Sequence, residues 1–376
     1  MLSPSLTPIS LPGSEVRIIY APAALEHIGQ IAKAEGATRI LLVSDPGIVE
    51  SGHVERALRS IYHAGLVARL FDKVGENPTT IHVGNGVFAA RPFNPDFIIG
   101  LGGGSSMDCA KGINFLLTNG GRMQDYQGIG KATQPMLPLI AIPTTTGTGS
   151  EAQSFALISD PETHQKMACG DKKALPRIAV LDPDVTSTQP QKVAAATGID
   201  AISHAVETAG STKRIEISRR FSREAWQLLS TSYAAEVKGH ADADIRRNML
   251  LGAHFAGAAI ENAMLGAAHA CANPLTAKFG TVHGLAVGLM LPHVVRFNSQ
   301  LNGNPYSDLM PSAEDLAAQI DALLMTADLP RRLRELGVSE SDLPALAATA
   351  ATQWTASFNP RPVQARELLE IYTSAL

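Results

Sequence analysis

The first half of the chain alternates short apolar runs with longer stretches of mixed polarity. Residues 16–20 (VRIIY), 40–44 (ILLVS), 67–71 (LVARLF without its first Leu), 97–101 (FIIGL), 137–142 (LPLIAI) and 178–181 (IAVL) are rich in Ile, Leu and Val. Most lack strict polar alternation, so they predict strands buried on both faces, as in a parallel sheet covered by helices on either side. Residues 24–35 and 107–117 read as helices between strands, and Asp45-Pro46-Gly47 reads as a turn. After about Thr186 the pattern changes. Residues 193–208, 218–237, 245–263 and 313–324 are Ala- and Leu-rich with helical spacing and few β-branched runs. The pattern predicts an α/β N-terminal domain with a mainly parallel sheet, residues 1–185, and an all-α C-terminal domain, residues 186–376. Pro183 and Pro190 flank the polar stretch at the boundary.

Composition narrows the function classes. With 45% hydrophobic and 18% charged residues the chain can fill a sizeable core, and a net charge of -4 gives no electrostatic case for nucleic acid or an acidic membrane as partner. The basic pairs Lys213-Arg214, Arg219-Arg220 and Arg246-Arg247 have acids nearby and read as solvated helix faces. Gly, His or charge interrupts every apolar stretch before membrane-spanning length, and no signal peptide is evident in MLSPSLTPISLPGSE. Cys109, Cys169 and Cys271 are odd in number and form no CxxC pair, which favours a reducing compartment over a disulfide framework. A cytoplasmic protein is expected.

Two loops carry candidate cofactor chemistry. Gly102-Gly103-Gly104-Ser105-Ser106 follows a predicted strand and opens a helix, where free N–H groups and a positive dipole suit a phosphate. A tight strand–helix turn without ligand accounts for such a run equally well. Thr144-Thr145-Thr146-Gly147-Thr148-Gly149-Ser150 is a second strand-end loop, crowded with hydroxyls and glycines. In open α/β sheets ligands gather at the carboxyl ends of strands, so two such loops can flank one crevice. Asp45, after an earlier strand, can accept from ribose hydroxyls and repel a 2′-phosphate, favouring NAD over NADP. An ordinary Asp-Pro-Gly turn explains it as readily.

The second half carries candidate metal chemistry. Asp200 and His204 stand at i and i+4 of a helical pattern and so share a face. A carboxylate and an imidazole suit Fe(II) or Zn(II), although a helix-surface hydrogen bond is the commoner use of one pair. His269 and His283 are embedded among small apolar residues, a setting that predicts burial and a need for partners. Three histidines and one carboxylate, in a chain with 11 histidines, are best explained jointly by a shared metal. Of the others, His27, His53, His63, His82, His164 and His240 read as surface residues, His254 as packed in a helix, and His293 as a core residue within possible reach of the site.

These motifs, in this order, resemble the iron-containing (group III) alcohol dehydrogenases. The resemblance rests on GGGSSMDCAK (102–111), PTTTGTGSE (143–151), LDPDVT (181–186), GIDAISHAVE (198–207), LGAAHACANPL (265–275) and HGLAVGLMLPHVVRFN (283–298), and it covers most of the chain. It implies a Rossmann-like dinucleotide domain followed by a helical metal-binding and substrate domain. It assigns the metal to Asp200, His204, His269 and His283. Cofactor contacts fall on Asp45, Asn77, Gly103, Gly104, Ser105, Asp108, Thr144, Thr145, Thr148 and Lys166. It further implies Fe(II), with Zn(II) as a substitute, and a homodimer or larger homo-oligomer. One departure stands out. Four residues after the third ligand, where the family commonly has a second histidine for proton relay, this chain has Asn273, and an amide takes up no proton near neutral pH.

The implied activity is an NAD(P)-linked alcohol dehydrogenase or aldehyde reductase: hydride passes between a small alcohol or diol, bound as alkoxide on the divalent metal, and nicotinamide. The alternatives are a related enzyme, namely a glycerol dehydrogenase, a maleylacetate reductase or, more distantly, a dehydroquinate synthase-like lyase. Asn273 also motivates a non-catalytic nucleotide-binding relative. The stretch after Asn298 matches the family only loosely, so the physiological alcohol is the least specified part.

Overall fold

The computed structural model describes residues 4–163 and 165–376; His164 falls outside the described residues. Two compact units emerge. One runs to Thr145 and resumes over Ser150–Gln189, and the other comprises Thr146–Gly149 and Pro190–Leu376.

In the first unit the strands are β1 (Ile9–Ser10), β2 (Arg17–Tyr20), β3 (Arg39–Val43), β4 (Val67–Phe71), β5 (Phe97–Gly102), β6 (Gly128–Ile129), β7 (Leu139–Pro143), β8 (Phe155–Ser159), β9 (Lys166–Gly170) and β10 (Ile178–Leu181). Seven of them form one sheet in the order β1-β2-β10-β7-β5-β3-β4. All its pairings are parallel except β1 with β2. Between strands lie α1 (Ile28–Ala34), α2 (Pro46–Glu50), α3 (His53–His63), α4 (Thr80–Ala90) and α5 (Gly104–Asn119), and α6 (Pro183–Thr186) follows β10. The unbroken apolar strands are explained by two separate cores. Ile40, Leu42, Ile99 and Leu101 bury into one cluster with α1 and α3, while Leu41, Val43 and Ile98 bury into another with α4 and α5.

Three local expectations change. The helix predicted over 24–35 is a 3₁₀ turn, Ala24–His27, followed by α1. Asp45-Pro46-Gly47 is no simple turn: extended Asp45 caps α2, its Oδ1 accepting from the Ile48 N–H at 3.2 Å, with Pro46 in the first helical turn. A second sheet, β6-β9-β8, was not anticipated. Its hairpin strands FALIS and KMACG are short, and small residues blur their alternation.

The second unit is helical among its described residues: α7 (Gln191–Gly210), α8 (Glu216–Val237), α9 (Ala243–Asn262), α10 (Ala267–Phe279), α11 (His283–Asn298), α12 (Ala313–Thr326), α13 (Leu343–Ala350) and α14 (Ala365–Ala375), with 3₁₀ turns between them. Their apolar faces share one continuous core. Small residues let backbones approach closely at two points. A Cβ on Gly284, at the start of α11, would lie 2.0 Å from the Ala196 carbonyl oxygen of α7. Gly149 and Gly257 of α9 face each other so tightly that a Cβ on Gly149 would lie 2.5 Å from Gly257 Cα, and one on Gly257 would lie 2.3 Å from the Gly149 carbonyl oxygen. No helix of the described residues is long and apolar enough to cross a membrane.

Candidate metal and dinucleotide sites

Helix α7 places Asp200 and His204 one turn apart, with His204 Nε2 3.5 Å from Asp200 Oδ1. From α10, His269 brings its Nε2 to 3.6 Å from that same oxygen. His283 completes a group with Asp200 and His269 in which one ligand atom from each lies within 4.8 Å of the others. The close approach of Gly284 to α7 is what allows its neighbour His283 to come so near. His204 stands outside that group of three but stacks on His269, the ring centroids 5.0 Å apart, while His283 meets His269 edge-on at 5.3 Å. Asp200, His204 and His269 are buried; His283, expected to be buried too, is only half-buried because it opens α11 next to exposed Val282.

The electrostatics of this cluster are those of a cation site. Burial alone would raise the Asp200 carboxyl, but the surrounding histidines, His204 foremost, hold it well below the usual carboxylate range. Burial lowers His204 below its ordinary value, in favour of the neutral imidazole a metal needs. Burial also disfavours charge on His269, yet the Glu207 and Asp200 carboxylates outweigh it and push its pKa up to about 9. Asp200 Oδ1 and His269 Nε2 are buried and have no hydrogen-bond partner among the described residues. Buried polar atoms are rarely left so, and a divalent cation taking N and O ligands fits the donor set.

Glu207 is the residue that the sequence reading missed. Its Oε2 is hydrogen-bonded to His269 Nδ1, and its Oε1 accepts from the Ala268 N–H at 2.7 Å and the His269 N–H at 3.4 Å. A carboxylate behind a ligating histidine fixes the ring and its tautomer. The signal was present: Asp200, His204 and Glu207 are spaced i, i+4, i+7 along one face of α7. One turn after His269, Asn273 donates through Nδ2 to Gln353 Oε1 at 2.9 Å.

In the first unit, the glycine-rich run forms the end of β5 and the start of α5. Gly103 is extended at the helix N-cap, and no side chain caps α5 there. The first-turn N–H groups of Gly104 and Ser105 are therefore not taken up by a capping side chain. Ser105 Oγ accepts from the Asn77 N–H at 3.2 Å, and Asn77 itself adopts a left-handed backbone at φ 50°. Ser106 Oγ donates to Asp45 Oδ2 at 2.8 Å, so Asp45, Asn77 and Ser105 are brought together at the carboxyl ends of β3 and β5. Thr144, directly after β7, has a buried hydroxyl with no hydrogen-bond partner among the described residues, and Thr145 sits beside Gly103. Thr148 belongs to the second unit. Asp108 points elsewhere: its Oδ1 accepts from Ser150 Oγ at 2.6 Å, its Oδ2 from the Leu157 N–H at 3.3 Å, and Lys111 Nζ is 3.8 Å away. Lys111, fully buried, donates to Ser150 O, Ser150 Oγ and Phe155 O at 2.7–2.9 Å. Half-buried Lys166 opens β9 and acts electrostatically on Asp108.

Two other histidines differ from expectation. His53 is buried rather than on the surface, since Thr188 Oγ1 at 2.8 Å and Arg56 at 3.0 Å, one of them distant in sequence, occupy its ring nitrogens. His293 is half-buried on α11 and paired with Ser374 Oγ at 3.1 Å. Burial, together with Arg332 and Arg296, brings its pKa down to about 4.

Comparison with known proteins identifies the family. The model for iron-containing alcohol dehydrogenases matches residues 15–183, and that for the C-terminal part of the same family matches residues 194–376. A 1,3-propanediol dehydrogenase of Klebsiella pneumoniae is 32% identical over 95% of this chain and 96% of its own. The crystal structure of a 1,3-propanediol oxidoreductase superposes with a TM-score of 0.92 at 32% identity, covering 96% of this chain and 98% of the other. A sulfoacetaldehyde reductase from Bifidobacterium kashiwanohense, in complex with NAD+, superposes with a TM-score of 0.88 at 25% identity over 96% and 97%. The paired matches leave almost no part of the chain uncovered: it belongs to the iron-containing alcohol dehydrogenase family and is a metal-dependent, nicotinamide-linked oxidoreductase acting on alcohols.

Proposed function

We propose that the chain interconverts short primary alcohols or diols with their aldehydes, using one Fe(II) held by Asp200, His204, His269 and His283, and NAD in preference to NADP. The observation that carries the reading is a pair of buried atoms, Asp200 Oδ1 and His269 Nε2, that have no hydrogen-bond partner among the described residues and face each other across 3.6 Å. Zn(II) would satisfy the same donors. When bound, the metal supplies a Lewis acid for the substrate oxygen and the nicotinamide supplies the hydride acceptor.

The chain's own residues do the rest. Asp200 contributes the one anionic ligand, and Glu207 keeps His269 turned so that Nε2 faces inward. The uncapped start of α5, with Gly103, Gly104 and Ser105, receives the pyrophosphate. Asp45 and Asn77 hold the adenine-side ribose, and Thr144, Thr145, Thr148 and Lys166 hold the remainder of the cofactor. Asp108 acts from behind, tying α5 to Ser150 and β8. We further assign the protein to the cytoplasm, in keeping with three buried free thiols, and to a homodimer or larger homo-oligomer.

Metal analysis of the purified protein, followed by chelation, tests the reading. Turnover of a short alcohol with NAD should fall by at least about a hundredfold on metal removal and return with added Fe(II). Undiminished turnover by metal-free protein would overturn it.

A further inference from the structure

Helix α10 presents a polar stripe that the metal does not account for. His269, Asn273 and Thr276 lie at i, i+4 and i+7 and so share one face. Asn273 is half-buried, and its amide is held by Gln353, in the segment that leads into the 3₁₀ turn Trp354–Phe358 packed against α10. One hydrogen bond uses a single polar atom of Asn273, leaving the other end of the amide to a further partner. Two hydroxyls in the same elements, Thr276 Oγ1 and Thr355 Oγ1, are buried without a hydrogen-bond partner among the described residues. Beyond His269 the stripe carries no charged side chain: Lys278, at the far end of α10, is exposed and engaged by Asp342.

We infer that the Asn273–Gln353 amide pair receives a second hydroxyl of the substrate, which makes it a specificity element for short diols over monoalcohols. This rests on the alcohol dehydrogenase reading above. The spacing suits the role. Side chains one helical turn apart are separated by about 6 Å at Cβ, comparable to the reach between the two oxygens of a short diol. A primary amide can donate to or accept from a neutral hydroxyl whichever way it is turned, and it does not titrate near neutral pH. Asn273 and Thr276 offer no charge to an anionic tail, so the stripe beyond His269 suits a neutral polar tail. Sites built to hydrogen-bond a substrate group reject analogues lacking it far more strongly than apolar pockets reject an extra hydroxyl.

The test uses the metal-loaded enzyme with NAD and compares 1,3-propanediol with 1-propanol. In the wild type the diol should have the higher kcat/KM. In Asn273→Leu the diol-to-monoalcohol ratio should fall by about tenfold, through KM of the diol rather than kcat. Gln353→Leu, which frees the amide without removing it, should lower the ratio by a smaller factor. Asn273→Ala guards against a packing artefact of Leu, since it removes the amide without adding an apolar branch, and it should also lower the ratio. Metal content and NAD affinity report whether each variant is folded. A ratio unchanged in all three variants overturns the inference and leaves the alcohol dehydrogenase reading standing. A wild type that oxidises neither alcohol overturns both.

Discussion

Asp108 in α5 and Asp200 in α7 are both carboxylates buried in a helix beside nitrogen bases, yet their surroundings differ in kind. Around Asp108, Ser150 and the Leu157 N–H meet its oxygens, and Lys111 stands 3.8 Å away with three oxygen acceptors of its own. Around Asp200, one oxygen has no hydrogen-bond partner among the described residues, while two imidazole Nε2 atoms stop 3.5 and 3.6 Å short of it. The consequence shows in their acidity. Burial dominates at Asp108 and raises its pKa, whereas the histidines dominate at Asp200 and lower it. A closed polar network holds a loop in place, and an open one of nitrogen and oxygen donors is built for something the protein does not itself supply.

The largest effect should come from opening the closed network. Lys111→Met leaves Asp108 buried without its cation and should cost about 3–5 kcal/mol in urea denaturation. A cost under about 1 kcal/mol would mean that the two sites are not so different. Loosening the open network from behind should come next. Glu207→Gln keeps the shape but weakens the hold on His269, and metal affinity measured by chelator competition should drop by about ten- to a hundredfold. Unaltered affinity would strike Glu207 from the site. Asp45 is the intermediate case, since its carboxylate is half-exposed and already engaged by Ile48 and Ser106. Asp45→Asn preserves a good N-cap while removing the charge, so the NADP-to-NAD ratio of kcat/KM should rise by about fivefold. If the ratio holds, Asp45 is a helix cap only.

The same contrast explains what could be read from the sequence. The parallel sheet was legible because strands buried on both faces leave continuous apolar runs, as in Ile40–Leu42 and Phe97–Leu101. Asp200 and His204 were legible as a pair because one helix fixes their spacing. That His269 and His283 join them depends on α10 and α11 packing against α7, a long-range outcome with no local period; the family resemblance, not the spacing, suggested it. Glu207 was overlooked for a physical reason: an acid in a helix reads as a solvated residue until packing shows it buried against another helix. His53 went wrong the same way, since its partner Thr188 is supplied by a distant segment. Asp45 was read both as a turn and as a ribose ligand, and the local structure it adopts, an N-cap with one oxygen held by Ser106, is compatible with the second use.

The contact between Gly149 and Gly257 bears on how this chain can vary. Each residue is hemmed in by the main chain of the other. A clash with a side chain can be relieved by shrinking that side chain elsewhere, but a clash with main chain offers no such second-site remedy. Substituting either glycine alone would require the main chain to shift. The hydroxyl-rich loop is thereby pinned at Gly149 to one backbone course over α9, whatever side chains its threonines carry.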